Sequence, residues 1–63
     1  MDTITEILSE LTALMNAGML TRYTGNRAKR YVVQHPEEFF ASETNPMTVT
    51  EAADMAVELS YVN

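Results

Sequence analysis

The sequence contains no cysteine, only two glycines and a single histidine. Without cysteine the chain can form neither a disulfide nor a thiolate metal site, which excludes zinc fingers and secreted disulfide scaffolds. With so few glycines it also lacks the glycine-rich loop that binds phosphate groups. We therefore expect an apolar core or a partner to supply whatever order the chain has.

Long apolar runs are missing as well. No uninterrupted apolar stretch approaches the ~18 residues of a membrane span, and Met1-Asp2-Thr3 lacks the basic residues that begin a secretory signal. The hydrophobic fraction of 46% is nevertheless too high for a disordered chain in which only 21% of the residues are charged. The 63 residues are short enough for one domain, residues 1–63. The sequence thus predicts a folded, soluble, cytoplasmic domain.

Basic residues are few and concentrated. The chain has nine acidic and four basic side chains, for a net charge of −5. All positive charge lies within residues 22–30, whereas residues 1–21 and 36–63 contain acidic side chains and no lysine or arginine. We expect the basic segment to dock on the acidic flanks, within the chain or in a second subunit, unless one of these surfaces binds a partner.

The first segment has the pattern of an amphipathic helix over residues 3–17. Thr3 and Glu6 have the S/T-x-x-E spacing of a capping box, and Gly18 is suited to the left-handed position after a helix. The intervening apolar residues recur at helical spacing. They are Ile4, Ile7, Leu8, Leu11, Leu14 and Met15.

A second amphipathic helix is predicted over residues 48–61. Thr48 and Glu51 repeat the capping-box spacing, and alanines contribute much of the apolar face. Because small residues let another helix approach closely, we expect self-association, in the form of a homodimer, through this alanine-rich face. Glu51, Asp54 and Glu58 follow one edge of a helix that has no lysine or arginine.

The middle segment has two interpretations. As a short basic helix over residues 24–34 it begins with Thr24 as the N-cap and ends before Pro36, with a turn near residues 36–41. Alternatively, Thr24-Gly25-Asn26 is the turn of a hairpin, which gives an α+β helix–hairpin–helix arrangement. We favour the helix because residues 28–33 do not alternate apolar with polar side chains.

The predicted fold is therefore a small all-α domain of two amphipathic helices and a short basic middle helix. Its expected core residues are Ile4, Ile7, Leu8, Leu11, Leu14, Tyr31, Val32, Phe39 or Phe40, Val49, Ala53, Ala56 and Leu59.

The sequence gives little support for a catalytic site. His35 is the one histidine, and no serine lies in a Gly-x-Ser-x-Gly elbow. The spacing of His35 and Glu38 fits two ligands of a metal ion, but Pro36 should break the helix on which they would converge, and a third ligand is needed. We expect no enzyme activity, no catalytic residue, no metal, no cofactor and no small-molecule substrate.

The function favoured by the sequence is a non-enzymatic, small acidic protein-interaction module, such as a stoichiometric inhibitor or regulator that binds a basic surface of a partner protein. Its predicted contacts are Glu51, Asp54, Met55 and Glu58.

The alternative function is a small nucleic-acid-binding regulator, in which cations contact phosphates and aromatic rings stack on bases. The predicted contacts with nucleic acid, or alternatively with an acidic partner, are Arg22, Tyr23, Arg27, Lys29 and Arg30. An isoelectric point of about 4.5 opposes this alternative, because nucleic-acid-binding domains usually have a basic footprint.

Overall fold

The computed structural model describes residues 3–39 and 47–62, and this part of the chain forms three α-helices. They are α1 (Thr3–Asn16), α2 (Arg22–Gln34) and α3 (Val49–Val62), and a 3₁₀ helix over Pro36–Glu38 follows α2. These residues contain no strand, so the all-α prediction is confirmed and the hairpin alternative is wrong. Phe40 and the predicted loop after it lie outside the described residues.

The end of α1 is fixed by a local motif. Gly18 has a φ of 77°, its N–H donates to the Met15 carbonyl at 3.1 Å, and the Met19 N–H donates to the Leu14 carbonyl at 2.9 Å. These two bonds define a Schellman cap, which satisfies carbonyls that the helix leaves without partners. The predicted role of Gly18 is confirmed.

The start of α2 differs from the prediction. Thr21, not Thr24, is the N-cap, and its Oγ1 accepts the Thr24 N–H at 3.1 Å. Thr24 therefore lies inside the first turn, where it supplies the N–H that the cap satisfies. The predicted end at Gln34 is confirmed.

The predicted capping box at the start of α3 is confirmed. The Glu51 N–H donates to Thr48 Oγ1, and the Thr48 N–H donates to Glu51 Oε1, both at 3.1 Å. Hydrogen bonds from the backbone and then the side chain of Thr48 stabilise the charged carboxylate, which lowers the pKa of Glu51.

The core lies between the three helices and is closed by Phe39. Its buried members are Ile7, Leu11, Ala28, Tyr31, Val32, Phe39, Ala52, Ala53 and Ala56. The predicted residues Ile4, Leu8, Leu14 and Leu59 pack at its edge, and Val49 is half-buried. Ala28 and Ala52 belong to the core although we did not predict them there.

The alanine-rich face of α3 is used within the chain. Ala52, Ala53 and Ala56 are at most 1% exposed, so they cannot form the expected contact with a second subunit. A helix face of small apolar residues has the same sequence pattern whether it packs on its own chain or on a second subunit. The pattern was therefore assigned wrongly to a contact between subunits. A homodimer stays a prediction and requires another surface.

Candidate functional site

Large apolar side chains are exposed together between α2 and the end of α3. Tyr23 of α2 is 74% exposed, and Tyr61 and Val62 of α3 are 77% and 80% exposed. All three line one cavity. Contiguous exposed apolar surface of this kind marks interaction sites, and tyrosine is among the residues enriched there.

Arg27 lies between the two tyrosines and contacts both rings. Its guanidinium carbon lies 5.3 Å from the ring centroid of Tyr23 and 5.2 Å from that of Tyr61. Its Nε also donates to Ser60 Oγ at 3.4 Å, and the buried Ser60 hydroxyl donates to the Val57 carbonyl at 3.0 Å. Each cation–π contact contributes about 0.5–1 kcal/mol at an exposed site. Arg27 thereby links α2 to α3.

Two open cavities flank Arg27, and we call them together the α2–α3 groove. The first, of about 580 Å³, is mainly apolar and is lined by Tyr23, Thr24, Arg27, Val57, Glu58, Tyr61 and Val62. The second, of about 430 Å³, is more polar and is lined by Tyr23, Arg27, Arg30, Tyr31, Gln34, His35, Ser60 and Tyr61. One side of the groove can thus accept an apolar group and the other a polar one.

The predicted acidic contacts lie on α3 but differ in their surroundings. Glu51, Asp54 and Glu58 are exposed, and within residues 3–39 and 47–62 none of them forms an ion pair with lysine or arginine. Glu58 lines the apolar cavity, whereas Glu51 is engaged in the cap of α3. Met55 is half-buried and packs against the core. Of these three acidic residues, only Glu58 lines the groove.

The predicted basic contacts all lie on α2 and divide between its two sides. Arg27 and Arg30 line the groove, whereas Arg22 and Lys29 line a polar cavity of about 350 Å³ between α1 and α2. Lys29 Nζ donates to Thr12 Oγ1 of α1 at 2.9 Å. No carboxylate among the described residues pairs with these cations. The basic segment is therefore not docked on the acidic flanks by ion pairs there.

Two predicted sets of residues meet in one place. Tyr23 and Arg27, predicted for nucleic acid, share the apolar cavity with Glu58, predicted for a protein partner. Tyr61 and Val62 were absent from both sets, although they follow Glu58 at the i+3 and i+4 positions of the same helix. That spacing, which places them beside Glu58, was the signal that could have found them.

A second cluster lies at the end of α2. His35 Nδ1 is 3.5 Å from Glu38 Oε2 and 3.9 Å from Glu37 Oε1. Pro36 ends the α-helix as expected, but the expectation that this would keep His35 and Glu38 apart is wrong, because a 3₁₀ helix begins at Pro36 and brings residues i and i+3 to the same side. Glu37 is the third candidate ligand, which the sequence prediction lacked.

Tyr31 connects this cluster to the core. Its hydroxyl donates to the Glu38 carboxylate, at 2.8 Å from Oε1 and 3.0 Å from Oε2. This hydrogen bond, followed by partial burial and the negative charges of Glu38 and Glu37, raises the pKa of Tyr31. The phenol therefore remains a hydrogen-bond donor to Glu38 well into the alkaline range.

Comparison with protein families, with curated proteins and with solved structures gave no significant match to the chain. Among the described helices, none has both the length and the apolar character needed to cross a membrane.

Proposed function

We propose that the protein is a non-enzymatic interaction module that binds a partner protein through the α2–α3 groove and the acidic edge of α3. The observation that carries this proposal is the exposure of Tyr23, Tyr61 and Val62 around one apolar cavity that Glu58 borders. Tyrosine and arginine are the residue types that dominate binding energy at protein interfaces. Arg27 already contacts both tyrosine rings, and side chains that have contacts before binding lose less conformational freedom in a complex.

The chemistry of the groove specifies the partner. An apolar side chain fits the larger cavity, and a lysine or arginine beside it fits Glu58 and the neighbouring Asp54. Exposed charges act over about 8–10 Å at moderate salt and increase the rate of encounter with an oppositely charged surface. The protein acts as a stoichiometric inhibitor or regulator in this proposal, and the cytoplasm remains the expected compartment.

The hydrogen bonds of the Ser60 hydroxyl support a binding role for the groove rather than a catalytic one. Ser60 Oγ accepts from Arg27 Nε and donates its proton to the Val57 carbonyl. A serine nucleophile instead needs a base that accepts its proton. The polar groups in this part of the groove therefore support the packing of α2 on α3.

The proposal is tested by affinity capture from a host lysate, followed by mass spectrometry, with the wild type and three variants. Tyr61→Ala and Glu58→Lys should release the captured protein, with an affinity loss of about 30-fold for a residue that contributes about 2 kcal/mol. Val33→Ser is the matched control because Val33 is also exposed, on α2, but does not line the groove. Capture that is unchanged in both groove variants would contradict the proposal.

Nucleic-acid binding is the second candidate, and one observation favours it. Arg22 and Arg30 are exposed on a helix that has no acidic residue, and no described carboxylate pairs with them. A gel-retardation complex that weakens steeply between about 50 and 200 mM salt, and that Arg30→Glu abolishes, would support this candidate. The protein-interaction proposal predicts no complex even at the lower salt concentration.

A further inference from the structure

We propose that His35, Glu37 and Glu38 bind a divalent transition-metal ion of the zinc class at the end of α2. Their candidate ligand atoms all lie within 4.8 Å of one another. A tetrahedral ion with bonds of about 2.0–2.1 Å separates its ligand atoms by about 3.4 Å. His35 Nδ1 and Glu38 Oε2 are 3.5 Å apart, so these two can bind one ion with almost no movement.

The donor set defines the class of ion. One imidazole nitrogen and two carboxylate oxygens suit Zn²⁺ and its spectroscopic substitute Co²⁺, whereas Mg²⁺ and Ca²⁺ favour oxygen ligands alone. Three protein ligands leave the fourth tetrahedral position to water, as in zinc sites that are open to solvent. Glu37 Oε1 is farther from His35 Nδ1, at 3.9 Å, but its side chain is the most exposed of the three and can approach the ion without displacing buried neighbours.

The two closest ligands are oriented before any ion binds. The His35 ring lies 4.5 Å from the Tyr31 ring, and the Tyr31 hydroxyl donates to both oxygens of Glu38. The next residue, Phe39, is fully buried with its ring against Tyr31, which anchors the 3₁₀ turn on the core. Hydrogen-bonded partners of this kind fix ligand orientation at metal sites and raise metal affinity.

The proposed metal site is separate from the partner-binding proposal. Glu37 and Glu38 do not line either cavity of the α2–α3 groove, whereas His35 and the supporting Tyr31 border the more polar one and neither borders the apolar one. Metal binding can therefore succeed or fail in an experiment independently of protein capture.

The test is a titration of the full chain at constant pH with Zn²⁺ by calorimetry and with Co²⁺ by visible absorption. We expect saturation at one ion per chain and a saturable shift of the His35 ring resonances in NMR spectra. His35→Phe keeps a ring against Tyr31, and Glu38→Gln keeps an acceptor for the Tyr31 hydroxyl. Each should weaken binding by about 10-fold or more. Glu10→Gln removes an equal charge from α1 and should leave metal binding unchanged.

Tyr31→Phe separates oriented ligands from a chance group of charges. It retains the buried ring and removes only the hydroxyl, so we expect folding to persist and metal affinity to fall by about 10–100-fold. Helical circular dichroism verifies the fold of every variant. The proposal is overturned by non-saturable binding, by equal affinity in His35→Phe, or by His35 resonances of the wild type that do not respond to Zn²⁺.

Discussion

Gly25 provides the sharpest test of how α1 packs on α2. It is buried in the first turns of α2, and a Cβ atom at this position would overlap Sδ and Cγ of Met15. Glycine thus allows the side chain of Met15 to lie directly on the backbone of α2. Replacing glycine by alanine in a helix usually stabilises a protein. Because of the contact with Met15, we expect Gly25→Ala to destabilise this one.

Two opposing effects set the magnitude. Alanine is favoured over glycine in a helix interior by about 0.8–1.0 kcal/mol. Adding an atom to a packed position costs about 1–3 kcal/mol. Because Met15 is half-buried and flexible, it can partly yield, so a net destabilisation of about 1 kcal/mol is expected. In a Met15→Ala background the overlap is gone, and the same substitution should stabilise the protein by about 1 kcal/mol.

Urea unfolding of the four proteins in this double-mutant cycle measures the effect. The expected coupling energy is about 2 kcal/mol, within the range for residues in direct contact. In thermal unfolding, 1 kcal/mol corresponds to a shift of about 4–8 °C for a domain of this size. Equal stabilisation by Gly25→Ala in both backgrounds would refute the proposed packing of Met15 on Gly25.

The remaining predictions concern single hydrogen bonds. Thr48→Ala should destabilise the protein by about 1 kcal/mol in urea unfolding because α3 loses its cap, whereas Thr50→Ala, at an exposed position, should change little. The lowered pKa of Glu51 means that its stabilising contribution is present above the ordinary value of 4.5 and is lost as the pH falls through the lowered value. Glu51→Gln should therefore flatten the pH dependence of unfolding in that acidic range, and an unchanged profile would contradict the capping role. The raised pKa of Tyr31 means that its stabilising contribution is present below 10.0 and is lost as the pH rises through the raised value. Tyr31→Phe should remove the highest-pH component of the tyrosine absorbance titration, and its persistence would show that another tyrosine is responsible.

The parts of the fold that were predicted correctly depend on local chemistry. The stop at Gly18 and the cap formed by Thr48 and Glu51 involve residues that are close in sequence, so their spacing is sufficient. The start of α2 was harder because Thr21 and Thr24 are both suitable caps. The sequence pattern does not show which one begins the helix.

The candidate site was only partly predictable because it depends on the packing of α2 against α3. Charge patterning identified Glu58 and Arg27 as surface residues, but assigned them to different partners. Their common cavity results from contacts between distant segments, such as Arg27 with Tyr61. The spacing along α3 places Tyr61 and Val62 beside Glu58, but it contains no information on the neighbouring helix, which contributes Tyr23 and Arg27 to the same cavity.

The neutral contacts of the basic segment have a consequence for specificity. Lys29 binds a threonine hydroxyl, and Arg27 binds a serine hydroxyl and two aromatic faces, so within the described residues no carboxylate neutralises either cation. The groove consequently presents Arg27 and Glu58 around one cavity. A uniformly basic partner is attracted by Glu58 but repelled by Arg27, and like-charge contacts at an interface disfavour wrong partners. If the groove binds a protein as proposed, we therefore expect a partner whose lysine or arginine reaches α3 while an apolar or acidic residue faces α2.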